Sequence, residues 1–193
     1  MTYQVESCNI KTIYGAFEFY CFNWGSHEDE NVLCLCVKPS DRIPLVRIQS
    51  ACFTAEIFRS TDCDCHEQLE QSLIRIQKNG GYLIYLLRDG RGAGIFQKVK
   101  GLKLFETDGL DTADAYDHLG IDKDPRKYER VAEILKYFNL SKIKLLTNNP
   151  RKIGGLETHG IEVERVPLLI EPTKDSYPYL KTKRDKMGHM LEL

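Results

Sequence analysis

Residues 82–87, YLIYLL, form an almost unbroken apolar run. A run this short, rich in aromatic and branched side chains, reads as a β-strand. Being apolar on both faces, it has to be covered on both faces, which points to a sheet packed by helices. The segments around it agree. CHEQLEQSLIRIQKNGG, from Cys65, repeats Leu69, Leu73 and Ile76 at helical spacing and stops at Gly80. YERVAEILKYF is an amphipathic helix, KIKLLT a strand, NNPRKIGGLETHG a turn and helix, and IEVERVPL a strand. Ahead of these, KTIYGAFEFYCF and VLCLCVK flank a polar turn at Gly25 and read as a β-hairpin, followed by a strand in IPLVRIQS. The order predicts an α/β (α+β) fold, a mixed β-sheet with packed helices.

The chain has 193 residues, 42% hydrophobic and 28% charged, enough for a sizeable core. We expect one domain over 1–170, with the polar, proline-bearing stretch 171–193 a loosely packed tail of the same domain. A net charge of −1 gives no global basic field for nucleic acid. No stretch approaches a membrane span, and MTYQVESCNI lacks a positive region leading into an apolar run, so a cytoplasmic protein is expected. Seven cysteines, an odd number, argue against a fully paired disulfide scaffold. Cys34 and Cys36 alternate with Leu35 and Val37 and read as ordinary strand residues.

Cys52, Cys63 and Cys65 are different. One sits at a strand end and two lie on alternate residues at the lip of a helix. Three thiolates with an open fourth position suit a catalytic zinc ion; incidental thiols are the alternative. His66 is either a fourth ligand, which would close the site, or a residue of the helix surface.

Two turns invite an anion. RDGRGAG supplies Arg88, Arg91 and three glycines before a helix, and LLTNNPRK ends a strand at Thr147 and opens a helix with Arg151 and Lys152. Backbone N–H groups at such turns suit phosphates, though solvated charge is also common there. In DKDPRKYER, Asp124 and Arg126 read equally as a loop salt bridge or as a base beside a phosphate-seeking group.

Taken in order, the Cx10CxC spacing after VRIQS, then YLLRDGRGAGI, GLDT, LGIDKDPR, LLTNNPRK and YLKTKRDKMGH resemble GTP cyclohydrolase II of riboflavin synthesis, from about Pro44 to the C-terminus. The resemblance implies a GTP cyclohydrolase II-like fold and a zinc ion on Cys52, Cys63 and Cys65. It implies hydrolytic opening of the purine imidazole ring at C8 with loss of formate, and release of pyrophosphate with magnesium on the phosphates. Arg126 matches the family's nucleophile toward the α-phosphorus and Asp124 its helper. Arg47, Thr147 and Lys152 match substrate contacts, Arg91 belongs to the glycine-rich turn, and Asp89 stands where a glutamate reads the purine. The family is usually dimeric, so a homodimer with a small-molecule partner, and no nucleic acid or membrane partner, is expected.

The departures matter. Gln49 and Ala51 replace a histidine and a glutamate, Asp62 an arginine and His66 a glycine. Asp89 is one carbon shorter than the family's glutamate. Leu102 stands at the catalytic tyrosine and carries no proton to give, leaving Tyr116 and Tyr128 as substitute hydroxyls. Three functions remain open: a GTP cyclohydrolase II-like hydrolase, a paralogue acting on another nucleotide, nucleoside or base in nucleobase catabolism or specialised metabolism, and a non-catalytic zinc-stabilised nucleotide-binding protein.

Overall fold

The structure, a computed structural model, describes residues 3–122 and 125–193. It resolves into two compact units. The first comprises residues 1–49, 69–87 and 127–168, and the second residues 50–68, 88–126 and 169–193.

The first unit is built on a seven-stranded mixed sheet. Its strands are β1 (Gln4–Thr12), β2 (Gly15–Asn23), β3 (Asn31–Val37), β4 (Leu45–Ser50), β5 (Gly81–Leu86), β6 (Lys142–Leu146) and β7 (Glu162–Val166). They lie in the order β1-β2-β3-β5-β4-β6-β7. β1, β2, β3 and β5 pair antiparallel, whereas β4, β6 and β7 pair parallel. The expected mixed α/β sheet is therefore present.

Residue choice explains the layout. β3 alternates, burying Val32, Cys34 and Cys36, so these two cysteines are core strand residues as expected. β4 and β5 are buried on consecutive residues, which fits their central places. Gly81 starts β5 at φ 140°, and a side chain there would lie 2.1 Å from the Leu45 carbonyl oxygen, so only glycine lets the two backbones come this close. The main core joins Phe22, Ile48, Ile84, Ile143 and Leu145 of the sheet to Val131, Ile134 and Leu135 of α5 (Glu129–Tyr137) and Leu156 of α6 (Pro150–Glu157). Leu73 and Ile76 pack with Phe17 and Leu83 in a smaller cluster.

Two expectations need correcting. The N-terminal β-structure is a three-stranded meander, because β1 precedes the expected hairpin. β1 is an edge strand with mostly exposed side chains, so its sequence lacks the apolar alternation that marks a half-buried strand. The polar tail is not loosely packed. It carries α7 (Tyr177–Met187), which buries Leu180, Thr182, Lys183 and Met187.

The second unit holds α1 (Phe53–Glu56), the start of α2 (Cys65–Asn79), α3 (Ile95–Asp108), α4 (Thr112–His118) and α7. Asp111 caps α4 by accepting from the backbone N–H groups of Ala113 and Asp114, and Lys186 of α7 pairs with it at 2.6 Å. No helix among the described residues is long and apolar enough to cross a membrane.

Candidate metal centre and anion-binding turns

In the second unit, Cys52 is the N-cap of α1, Cys63 lies in the loop beyond it, and Cys65 opens α2. The three Sγ atoms lie within 4.8 Å of one another, and Cys52 Sγ is 3.8 Å from Cys63 Sγ. Zinc–sulfur bonds of about 2.3 Å at tetrahedral angles place two sulfurs about 3.8 Å apart, so the three thiols fit a zinc ion. All three cysteines are free thiols. His66 stands outside the cluster and pairs with the Arg59 guanidinium, as expected of a helix-surface residue. Asp62 is exposed, and its carboxylate accepts from Ser60 Oγ at 2.7 Å.

The three thiols share charge unequally. Hydrogen bonds from Cys63 and Cys65, together with the Lys98 ammonium, hold the Cys52 thiol far below its ordinary range. Cys63 is pushed up to about 11, chiefly by its hydrogen bond to Cys52, and Cys65 is raised well above its ordinary value by both neighbours.

Lys98, on the first turn of α3, donates to Cys52 Sγ at 3.2 Å and Thr54 Oγ1 at 2.8 Å, and pairs with Asp89 Oδ1 at 3.1 Å. Sequence reasoning missed it, because Lys98, Lys100 and Lys103 look alike on one charged helix. Asp89 is 2% exposed; its carboxylate also accepts from the Phe53 backbone N–H at 2.7 Å and from the Gly90 backbone N–H. Asp64, between Cys63 and Cys65, is buried against Lys183 of α7 at 3.1 Å.

The glycine-rich turn places Arg91 at φ 56°. Its guanidinium lies over the rings of Tyr116 and Tyr179 at 5.8 and 5.6 Å. Both terminal nitrogens are buried without a hydrogen-bond partner among the described residues. Gly92, at φ 91°, sits against Arg126, whose Nη1 donates to Ser50 Oγ at 3.4 Å. Asp124 lies outside the described residues. Tyr116 is fully buried and its hydroxyl donates to the Gly90 carbonyl at 3.1 Å, so it braces the turn. Gly101 faces the Tyr116 ring, while the next residue, Leu102, is 42% exposed.

In the first unit, the carboxyl ends of the parallel strands β4 and β6 gather a second set of charges. Arg47 is buried, with Nε and Nη2 donating to Gln49 Oε1 at 3.1 and 2.8 Å and Nη1 to the Leu146 carbonyl at 3.0 Å. Lys152 of α6 donates to the Ile48 carbonyl at 2.6 Å. Thr147 Oγ1 accepts from the Asn149 N–H at 3.0 Å, and Arg165 of β7 donates to the Thr147 carbonyl at 3.2 Å. The structure thus brings Arg47, Thr147 and Lys152 together and adds Arg165. Tyr128 packs its ring on Gly155 in this unit.

Fold and site together define an α/β protein with a three-cysteine cluster whose geometry could hold a metal ion. The GTP cyclohydrolase II family model matches residues 3–167, and the chain belongs to that family. Among curated relatives, a GTP cyclohydrolase-2 of Campylobacter hominis is 43% identical over 193 residues, covering 97% of this chain and 96% of that protein. The riboflavin biosynthesis protein RibBA of Staphylococcus epidermidis is 44% identical over 183 residues, 94% of this chain. RibBA of Chlorobium phaeovibrioides is 45% identical over 192 residues, 97% of this chain. The chain spans 46% of the length of these RibBA relatives.

Proposed function

We propose that the protein is a zinc-dependent hydrolase of the GTP cyclohydrolase II type that opens the imidazole ring of a purine nucleotide, releasing formate and pyrophosphate, in riboflavin biosynthesis. The observation that carries this reading is the spacing of Cys52, Cys63 and Cys65, with Cys52 and Cys63 at the 3.8 Å expected of two ligands on one zinc ion. Zinc bound there supplies a water acidified for attack on an electrophilic carbon. The chain's own residues do the rest. Arg91 offers an anion two buried nitrogens that have no hydrogen-bond partner among the described residues. Arg126, packed on Gly92, is the candidate group for the α-phosphorus, with Asp124 its candidate helper. Arg47, Thr147 and Lys152 present donors at strand ends, where α/β folds collect ligands. Magnesium is the counter-ion a triphosphate would bring. The reading takes the protein as a cytoplasmic homodimer, with the edge strand β1 free to pair, and with no nucleic acid or membrane partner.

One observation favours a second reading, a paralogue acting on a different nucleotide, nucleoside or base. Both oxygens of Asp89 are engaged by Phe53, Gly90 and Lys98, which leaves little of this carboxylate for a purine edge. Incubation of zinc-loaded protein with a panel of nucleotides, nucleosides and bases, with formate and pyrophosphate quantified side by side, separates the two. Formate from GTP supports the first reading, and ring loss only with another heterocycle supports the second. No turnover of any compound, with zinc bound and nucleotide retained, would leave a binding protein.

A further inference from the structure

We propose that Lys98 is a positioning residue for the metal ligand Cys52, orienting its sulfur and offsetting the negative charge that three thiolates place on one divalent ion. The inference rests on the zinc reading above.

The argument begins with donor counting. A lysine ammonium has three N–H donors and no acceptor. Lys98 has three partners in reach: Cys52 Sγ at 3.2 Å, Thr54 Oγ1 at 2.8 Å and the Asp89 carboxylate at 3.1 Å. Every donor is therefore engaged inside the second unit, and none is left for a substrate phosphate. The side chain is 16% exposed, so the charge is held away from bulk water.

Asp89 fixes the arrangement from both sides. It holds the Lys98 ammonium and accepts from the backbone N–H of Phe53, the residue after Cys52. Cys52 is thus bracketed through its sulfur by Lys98 and through its backbone by Asp89. Three thiolates and a zinc ion carry a net charge of −1. A charge-assisted N–H to one sulfur withdraws electron density from it, which leaves the metal a stronger acid toward its remaining ligand. In this chain the shortened carboxylate at position 89 serves the metal centre.

The test uses the full-length protein and two readouts besides activity: zinc affinity by chelator competition, and the sulfur-to-metal charge-transfer absorption of the cobalt(II)-loaded protein. Lys98→Met is expected to weaken zinc binding about 10- to 100-fold, the usual effect of losing a group that orients a metal ligand, and to shift the cobalt band. Lys98→Gln, neutral but still able to donate, is the second variant should Lys98→Met not fold, and is expected to move both readouts the same way. A plain structural salt bridge would lower the melting temperature of the metal-free protein but leave zinc affinity and the cobalt band unchanged in the folded variant, and that result would overturn the proposal. Wild-type protein that takes up no zinc would instead overturn the metal reading on which it rests.

Discussion

Lys183 Nζ lies 3.1 Å from Asp64 Oδ1, and both side chains are buried, so α7 is fastened to the residue between Cys63 and Cys65. Removing one partner of a buried pair leaves an uncompensated charge and typically costs about 3–5 kcal/mol. Lys183→Met should lose that much in urea unfolding of chelated protein at pH 7. Burial pushes the Asp64 carboxyl up, but Lys183 and the Gln68 amide outweigh it and hold it below its ordinary range. Burial likewise opposes the Lys183 charge, and Asp64 raises it nonetheless. A lowered carboxyl stabilises above its unfolded value of about 3.9 and loses this as pH falls through the folded value; a raised lysine stabilises below about 10.4 and loses it as pH rises through its own. The full contribution spans about pH 4 to 10, and the gap between wild type and variant should narrow below that window. A gap under about 1 kcal/mol at pH 7 would show that the pair adds little.

The seven cysteines should divide by reactivity. Burial, then Glu18, pushes Cys36 up to about 11, and burial raises Cys34 well above its ordinary value. At pH 8 a thiol titrating near 11 is about one part in a thousand thiolate. Brief iodoacetamide treatment of zinc-loaded protein at pH 8, read by peptide mass spectrometry, should therefore modify exposed Cys8 and spare Cys34 and Cys36. Chelation should add Cys52, whose thiol its neighbours hold far below the ordinary range, to the modified set, while Cys63 and Cys65, both raised, stay slow. Equal labelling of Cys52 with and without chelator would argue against a metal at this cluster.

Arg91 combines backbone strain with two terminal guanidinium nitrogens that have no hydrogen-bond partner among the described residues. A left-handed backbone costs a non-glycine residue roughly 1–2 kcal/mol. Arg91→Gly and Arg91→Ala both lose the contacts with Tyr116 and Tyr179, but only glycine relieves the backbone. The glycine variant should be the more stable of the two by about 1 kcal/mol, while both bind nucleotide at least about tenfold more weakly. Unchanged nucleotide affinity in both, by calorimetry, would assign Arg91 a packing role alone.

Leu102, which the resemblance sets at the family's catalytic tyrosine, is 42% exposed, so a larger side chain meets open space. Leu102→Tyr should change stability by less than about 0.5 kcal/mol and raise GTP turnover by at least about tenfold, the lower range for restoring a group that moves a proton. Wild-type turnover is expected to lie below about 1 per second, under the ordinary enzymatic range. Fast wild-type turnover, with no gain in the variant, would mean that another group has taken over this role.

Much of this was legible in the primary structure because periodicity and spacing are local. The YLIYLL run, the Leu69, Leu73 and Ile76 repeat and the Cx10CxC pattern each announce an element or a cluster without help from distant residues. β1 escaped because an exposed edge strand such as Gln4–Thr12 has no buried face to write into its sequence. α7 escaped because its buried face mixes Leu180 and Met187 with Thr182 and Lys183, and a lysine reads as surface until its partner is known. Lys98 escaped for the same reason: it is one ordinary charged residue among several on its helix, and only the fold sets it beside Cys52 and Asp89. Nothing in the sequence around Tyr116 tells that its ring fills the space that Gly101 leaves or that its hydroxyl donates to the Gly90 carbonyl.

Asp64 and its lysine are 119 residues apart in the chain. At a synthesis rate of about 5–20 residues per second, the ribosome makes the carboxylate roughly 6 to 24 s before the ammonium that neutralises it. Through that interval Cys63 and Cys65 flank a carboxylate that has not yet met its lysine. The helix that fastens the cysteine loop is thus made well after the loop itself, and the loop gains this contact only once α7 has left the ribosome.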